Sequence, residues 1–416
     1  MNYDLIVAGG GISGVNAAIA AAREKRKVLV IECSGFLGGS AVNCLVNPFM
    51  RYWSKNESGQ NTAVNGGLFL QILDRLEEKG GLLENKVTFN EEILKIVLDE
   101  LTEEYHIDVL FHSYLVGVGT ENERITEIRV ANKSGVETYR ADYFIDATGD
   151  GDLAYLAGCP YHVGRKEDEC CQPMTMCFRL SNVDVETFHK NREKILALYQ
   201  QYQREGKITN PRENILTFEH IEKGVVHFNS TRIVRKNPLN ARELSAAEQE
   251  ARKQVFELYS FLKKHADGFQ NSNLIMSAPQ IGVRESRMIE GMYEITAEDI
   301  MQCRKFEDSV SRGAYGIDIH NPDGSGTVQY HIDDHDFYTI PYRAMVNRLY
   351  SNFLVTGRCI SSTHEAQSAY RIIPICSNLG EAAGMAVSLA LQEQLKVGEI
   401  DINRLHRLMD NYHCLY

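Results

Sequence analysis

The residues with the clearest chemistry lie at the N-terminus. Gly9, Gly11 and Gly14 form a G-x-G-x-x-G array between an apolar run, Tyr3 to Ala8, and a helical segment from about Ile12 to Glu24. Such an array takes a dinucleotide pyrophosphate. The first glycine makes the tight turn, the second lets the backbone approach the phosphates, and the third lets the helix pack close to the sheet. The helix would aim its free N–H groups and positive dipole end at the phosphates. A second apolar run, Val28 to Ile31, ends at Glu32. An acid at that spacing accepts hydrogen bonds from a ribose 2′-hydroxyl and repels a 2′-phosphate. The plain alternative is a glycine-rich turn in an ordinary α/β domain. The strand before, the helix after and the acid at the right distance argue against it.

A second set of residues carries the potential for substrate chemistry. His364 and Arg371 precede an alanine-rich helix read from Gly380 to Leu395, and Arg284 lies in Gly282-Val-Arg284-Glu285-Ser286-Arg287. Glu365, Tyr370, Glu285, Arg287 and Arg343 complete the set. A histidine there is either a general acid/base suited to neutral pH or a structural residue. Arg371 either binds a substrate carboxylate in bidentate fashion, or polarises a carbonyl, or forms a salt bridge to Glu365 or Glu381. The alternating charges around Arg284 read as an interface between two domains, with Arg284 best placed to reach a cleft.

The elements that must position these residues follow from periodicity. Asn65 to Lys79 and Glu91 to Tyr105 have helical spacing. Val109 to Phe111, His112 to Val118 and Ile125 to Asn132 read as strands, and a Ser134-Gly135 turn with Val136 to Tyr139 reads as a hairpin. Tyr143 to Asp146 enters Ala147-Thr148-Gly149-Asp150. Beyond Gly164 the chain alternates short strands (Met174 to Leu180, Val225 to Ile233) with charged helices (Val185 to Gln203, Ser245 to His265). Phe353 to Thr356 is again a buried strand. The reading is therefore an α/β fold: a Rossmann-like domain, with a parallel sheet, helices and a β-meander, formed by 1–164 and 341–416. An α+β substrate or cap domain, 165–340, is inserted into it.

Composition bounds the partners. The chain has 416 residues, 44% hydrophobic and 24% charged, with a formal net charge of −12. That balance argues against nucleic acid, whose phosphates need a basic face, but not against an anionic small molecule held by local arginines. No run approaches the ~18 apolar residues of a membrane span. The motif starts so early that no signal or transit peptide is expected. Ten cysteines without C-x-x-C spacing point away from a zinc or iron–sulfur site and toward reduced thiols in a cytoplasmic protein. Vicinal Cys170 and Cys171 read as two unrelated thiols rather than a redox disulfide. Oligomerisation is left open.

Three separated segments converge on one ligand: the N-terminal array, Ala147-Thr148-Gly149-Asp150, and Phe353-Leu-Val-Thr-Gly357-Arg358. Together with LGGSAVN, DATGDGDLAYLAG, QPMTMCFRL, IGVRESRMIEG and GRCISSTHEAQSAYRIIP…LGEAAG, they resemble the FAD-dependent oxidoreductase family, a single-polypeptide branch of the glutathione-reductase-like, two-motif flavoproteins. The resemblance covers nearly the whole chain and implies FAD as cofactor. It places Gly9, Gly11, Ser13 and Gly14 at the pyrophosphate and Glu32 at the adenosine ribose. Gly38, Gly39 and Ser40 follow along the pyrophosphate or ribityl chain, and Leu115 meets adenine through its backbone. Ala147, Gly149 and Asp150 lie where the chain turns back over the cofactor. The wider class has Gly-Asp where this chain has Gly357-Arg358, so an arginine is expected to pair with pyrophosphate oxygens or an anionic substrate. Asn378 and Leu379 would open the helix that faces the flavin pyrimidine edge.

In the disulfide reductases of the class two cysteines follow the glycine pair. Here only Cys44 does, so a dithiol relay is not expected, and Cys44 reads as a packed thiol. The expected activity is hydride transfer between a small polar substrate, whether anionic or neutral, and flavin N5, with an unidentified electron acceptor or donor. Two alternatives are a flavin-dependent reductase of an activated double bond and an electron-transfer subunit of a larger complex. The lack of iron–sulfur motifs weighs against the second.

Overall fold

The computed structural model describes residues 2–324 and 326–416. Met1, with which the first domain was taken to open, lies outside them. Leu5, Ile6 and Val7 have no exposed surface, so Asn2–Ala8 is covered on both faces, as a central parallel strand must be. It pairs in parallel with Val28–Ile31 on one side and Gly135–Asp146 on the other. The seven-stranded sheet runs Asp108–Leu110, Val28–Ile31, Asn2–Ala8, Gly135–Asp146, Arg124–Asn132, Tyr114–Glu121, with Phe353–Val355 also beside Gly135–Asp146. The fold is thus mixed α/β and Rossmann-like, with the expected antiparallel meander.

One expectation is corrected within this sheet. The segments Val136 to Tyr139 and Tyr143 to Asp146, read as two pieces, form one strand of 12 residues. Its first half pairs with Arg124–Asn132 and its second half lies between Asn2–Ala8 and Phe353–Val355. Alternation in the first half and a continuous apolar run in the second reflect one open face and then none.

The helix Ile12–Arg23 is buried along most of its length. A Cβ at Gly14 would lie 1.9 Å from the Gly9 carbonyl oxygen, so this glycine serves helix–strand contact. Across the helix, a Cβ at Gly380 would lie 1.9 Å from the Ser13 carbonyl oxygen. Ile12–Arg23 and Ile373–Glu393 therefore meet at backbone distance, and Ala17, Ala382 and Ala386 beside them have no exposed surface.

The helix expected from Gly380 begins seven residues earlier, at Ile373, and ends at Glu393. Pro374 occupies its first turn, where a residue without an N–H loses no helical bond. A further helix, Ile402–Asn411, follows it. No single helix among the described residues is long and apolar enough to cross a membrane.

A second hydrophobic core forms around an antiparallel sheet of Thr217–Glu219, Val226–Phe228, Phe178–Ser181 and Asn273–Ser277. Helices Val185–Arg204 and Ala241–His265 contribute to it. Apart from Leu45, its buried residues run from Met174 to Ile281. Ile289, Ile295, Val310, Ile317 and Ile340, placed in the insertion by the sequence reading, pack instead into the first core.

Candidate active site

A cleft of about 400 Å³ runs between the two cores. Gly9, Gly11, Ser13, Gly38, Gly39 and Ser40 line it, as do Glu32 and Leu115. Ala147, Gly149, Asp150, Gly357 and Arg358 line it from the neighbouring strand ends. Arg371, Ile373 and Cys376 contribute from the C-terminal part, and Gln280, Ile281 and Val283 from the insertion. Most residues assigned to a nucleotide thus converge, although they come from positions as far apart as 9 and 358.

Glu32 is buried, and its carboxylate accepts from the Gly10 N–H and the Ser34 N–H, each at 2.7 Å. Oε1 also accepts from the Cys33 thiol at 3.4 Å, and Oε2 keeps a further lone pair for a ribose hydroxyl. The two glycine loops meet at a backbone bridge between Gly11 and Gly38. Ser13 Oγ and Thr356 Oγ1 are 2.9 Å apart and tie the first loop to the last strand. Fully buried Asp146 accepts from the Thr148 N–H at 3.0 Å and the Ala154 N–H at 2.9 Å. Burial pushes its carboxyl up to about 6 despite these donors.

Arg358 lines the cleft and also has a protein partner. Its Nη2 donates to Asp150 at 2.7 Å, and Asp150 also accepts from Ser286 Oγ at 2.6 Å. Burial lowers the guanidinium's pKa, but Asp150 more than offsets this and holds it above its ordinary value. Arg358 Nε is buried without a partner. The arginine therefore lies ion-paired against the cleft, with one donor still to be met.

Gly14, Asn378 and Leu379 do not line the cleft. Gly14 is occupied by the packing already described. Asn378 lies beyond the first helical turn, donates to the Gly66 carbonyl at 3.0 Å and accepts from Asn65 Nδ2 at 2.9 Å. The helix start at the cleft is Ile373 to Cys376, with Ile372 as its N-cap. No side chain caps it, which leaves its first N–H groups available.

His364 is buried and its Nδ1 lies 2.8 Å from Glu285 Oε1. It does not line the cleft, contrary to expectation. Glu285 also accepts from the Gln172 N–H at 2.8 Å, so the pair ties the last helices to the insertion. Arg287, on a strand paired with Tyr161–Val163, donates to Asp152 at 2.9 Å and lies over Tyr155. Tyr370 Oη meets Ser362 Oγ at 2.8 Å within the core, and Arg343 faces Asp308 at 3.8 Å.

Arg371 and Arg284 do come together. Arg371 Nη1 donates to the Arg284 carbonyl and to Gln367 Oε1, both at 3.4 Å. Neither expected acid, Glu365 nor Glu381, pairs with it; Glu381 faces Arg23 at 3.4 Å. Arg284 donates to the Pro173 carbonyl and to Thr175 Oγ1. Burial and the nearby Arg371 and Arg212 push its guanidinium down to about 9. Asp318 and Tyr315, which no sequence signal singled out, belong to the same neighbourhood. Tyr315 Oη donates to Asp318 at 3.0 Å. Burial alone would raise the Asp318 carboxyl, but His320 and Arg371 bring it well below the ordinary range. These residues are brought together by a hairpin, Ile317–His320 with Thr327–Tyr330, rather than by spacing.

Cys44 and Cys376 both line the cleft, and burial pushes each thiol up to about 12. They are neutral, packed thiols rather than nucleophiles. All ten cysteines, Cys170 and Cys171 included, are free. The uncapped N–H groups at the start of Ile12–Arg23, the carboxylate of Glu32 and the unmet Arg358 Nε fit an adenine dinucleotide.

Among solved structures, the chain resembles a geranylgeranyl bacteriochlorophyll reductase-like protein from Thermoplasma acidophilum, with 13% identity, 99% of this chain and 84% of that one covered, and a TM-score of 0.47. It resembles a p-nitrophenol 4-monooxygenase from Pseudomonas putida DLL-E4, with 10% identity, 99% and 83% covered, and a TM-score of 0.46. A flavin-dependent brominase gives 11% identity, 99% and 84% covered, and a TM-score of 0.49. Comparison with curated proteins finds no match. A family model described as FAD dependent oxidoreductase matches residues 4–409, and by that span the chain belongs to the FAD dependent oxidoreductase family, with FAD as its cofactor.

Proposed function

We propose that this protein transfers hydride between a small polar, anionic substrate and FAD, as a member of the single-polypeptide, glutathione-reductase-like branch. The observation that carries the reading is the shared cleft: the glycine loops and Glu32 line the same space as Arg371 and the insertion residues Ile281 and Val283. Bound FAD supplies the two-electron chemistry. The chain's own residues do the rest. Glu32 holds the ribose, the N–H groups of the first helix hold the pyrophosphate, and Arg358 adds a charge that Asp150 keeps in place. The uncapped start of Ile373–Glu393 offers N–H groups and a positive dipole end to negative charge. Arg371 orients an oxygen-bearing substrate, and the insertion excludes water from above. We assign His364 a positioning role through Glu285. The free cysteines support a reducing, cytoplasmic setting, and the electron acceptor or donor is a separate molecule.

The test begins with colour. The purified protein should be yellow and release FAD on denaturation; FMN alone would sink the cofactor assignment for this cleft. Anaerobic mixing with a metabolite library should then bleach the flavin. Arg371→Gln should retain FAD and slow that bleaching ~10²-fold or more, the scale on which a lost electrostatic donor acts. A wild-type bleaching rate in that variant would remove Arg371 from the site.

A further inference from the structure

We propose that Arg284 and Arg371 form a carboxylate-binding pocket at the join between the insertion and the FAD-binding part, so that the substrate is a small organic acid. This deepens the proposed function and rests on it. Arg284 belongs to the stretch that leaves the second core after Ile281, whereas Arg371 ends the short helix His364–Tyr370. The two stretches touch directly, through the bond from Arg371 Nη1 to the Arg284 carbonyl.

The charge balance of the pocket is unusual. Among the described residues neither guanidinium meets a carboxylate within 4.0 Å; their hydrogen bonds go to Pro173 and Arg284 carbonyls, Thr175, Asn229 and Gln367. Arg212 adds a third cation, and its Nε donates to Asn214, another neutral group. A buried arginine is ordinarily met by an acid, because desolvating an uncompensated charge costs several kcal/mol. The acids of this neighbourhood are already engaged: Asp318 by Tyr315, Gln329 and His320, Glu285 by His364, and Glu213 by Arg232. Burial and Arg284 push His320 down to about 3, and it meets Asp318 at 3.5 Å as a hydrogen-bonding partner. Arg284, Arg371 and Arg212 thus lack a carboxylate partner among the described residues, and of these Arg371 lines the cleft. An anion entering there completes the pairing. Two planar guanidinium forks suit a planar carboxylate, which accepts in bidentate fashion. Both arginines remain part-exposed, and Val283, next to Arg284, lines the cleft together with Arg371.

The pocket also implies a coupling. A ligand held by both arginines bridges the insertion to the FAD-binding part, and its binding should tighten that join as well as fill the site.

The test uses the FAD-loaded protein and direct binding rather than turnover. Lactate, malonate and succinate would be titrated calorimetrically, with lactamide as the neutral isostere and inorganic phosphate as a generic anion. The expected result is saturable binding of at least one acid, at least tenfold tighter than lactamide and tighter than phosphate, with a rise in melting temperature. Arg284→Gln and Arg371→Gln should each weaken that binding at least tenfold, and Arg371→Lys should weaken it less than Arg371→Gln. Equal binding of lactate and lactamide, a preference for phosphate, or unchanged affinity in both FAD-loaded variants would overturn the pocket. The wild-type ligand series decides the matter even where a variant fails to fold. Failure of the redox reading looks different: acids would bind and yet no acid in the library would bleach the flavin. Conversely, bleaching by neutral substrates with no acid binding would sink the pocket and leave the redox reading standing.

Discussion

Glu32 closes the second strand with its carboxylate shared between two backbone N–H groups, so it holds a loop besides the ribose we assign to it. Glu32→Ala should therefore weaken FAD retention by the ~1.5–3 kcal/mol of a charge-assisted hydrogen bond. FAD fluorescence on titration of the apoprotein measures it, and an unchanged affinity would show that the ribose lies elsewhere. Residues of this kind were legible in the sequence because their spacing follows from one local unit, strand–turn–helix. His364 and Arg358 were less so. Their positions along the chain placed them near the flavin, but their partners, Glu285 and Asp150, lie 79 and 208 positions away. No spacing rule links such pairs. Asp318 and Tyr315 were invisible for the same reason, since a tyrosine and an aspartate three apart are ordinary until a hairpin presents them to two arginines.

Among the elements, Ile373–Glu393 shows how a local rule misleads. The alanine-rich run from Gly380 marked only its later turns, because a proline fits the first turn of a helix and the helix starts at Ile373. The meander and core strands were readable because alternation and continuous apolar runs report burial directly. This helix also carries Glu381, whose carboxylate accepts from the Leu68 N–H at 2.9 Å and so caps the helix Leu68–Glu78 from across the core. Burial raises its carboxyl from the ordinary 4.5 to about 7, against the pull of Leu68 and Arg23. Between those values the folded state binds more protons than the unfolded state. Stability should fall as pH rises through that window, with the penalty complete above it. Glu381→Gln should flatten the fall, read from urea unfolding at pH 5 and pH 8; an identical pH slope in both proteins would assign it to other groups. Gly380→Ala tests the neighbouring contact. Its new methyl would enter the Ser13 carbonyl, so a loss of ~1–3 kcal/mol is expected, as for other overpacked sites. An unchanged urea midpoint would mean that the two helices separate freely.

The whole molecule is two cores joined along a cleft, and the cleft draws its walls from both. Gly9, Glu32 and Arg358 belong to the first, while Leu244, Glu248, Ile281 and Val283 belong to the helix and loops around the second. A ligand that touches both walls binds only when they are in register, so it stabilises the pairing itself. Mass action sets the size: a ligand at a hundredfold excess over its Kd adds about 2.7 kcal/mol. Hydrogen exchange on apo and FAD-loaded protein distinguishes shared from one-sided stabilisation. Added FAD should slow exchange in peptides from Asn2–Ala8 and in peptides spanning Gln280 to Val283. It should leave the outer surface around Asn182 to Asn191 unchanged, because those residues lie away from the cleft. The bond from Gln280 N–H to the Asn43 carbonyl at 3.0 Å gives the insertion a direct tie to the loop after Ser40, so ordering that loop should be felt at Gln280. Protection confined to the N-terminal peptides would mean that the insertion contributes a wall but no hold on the cofactor, and substrate alone would then have to close the cleft.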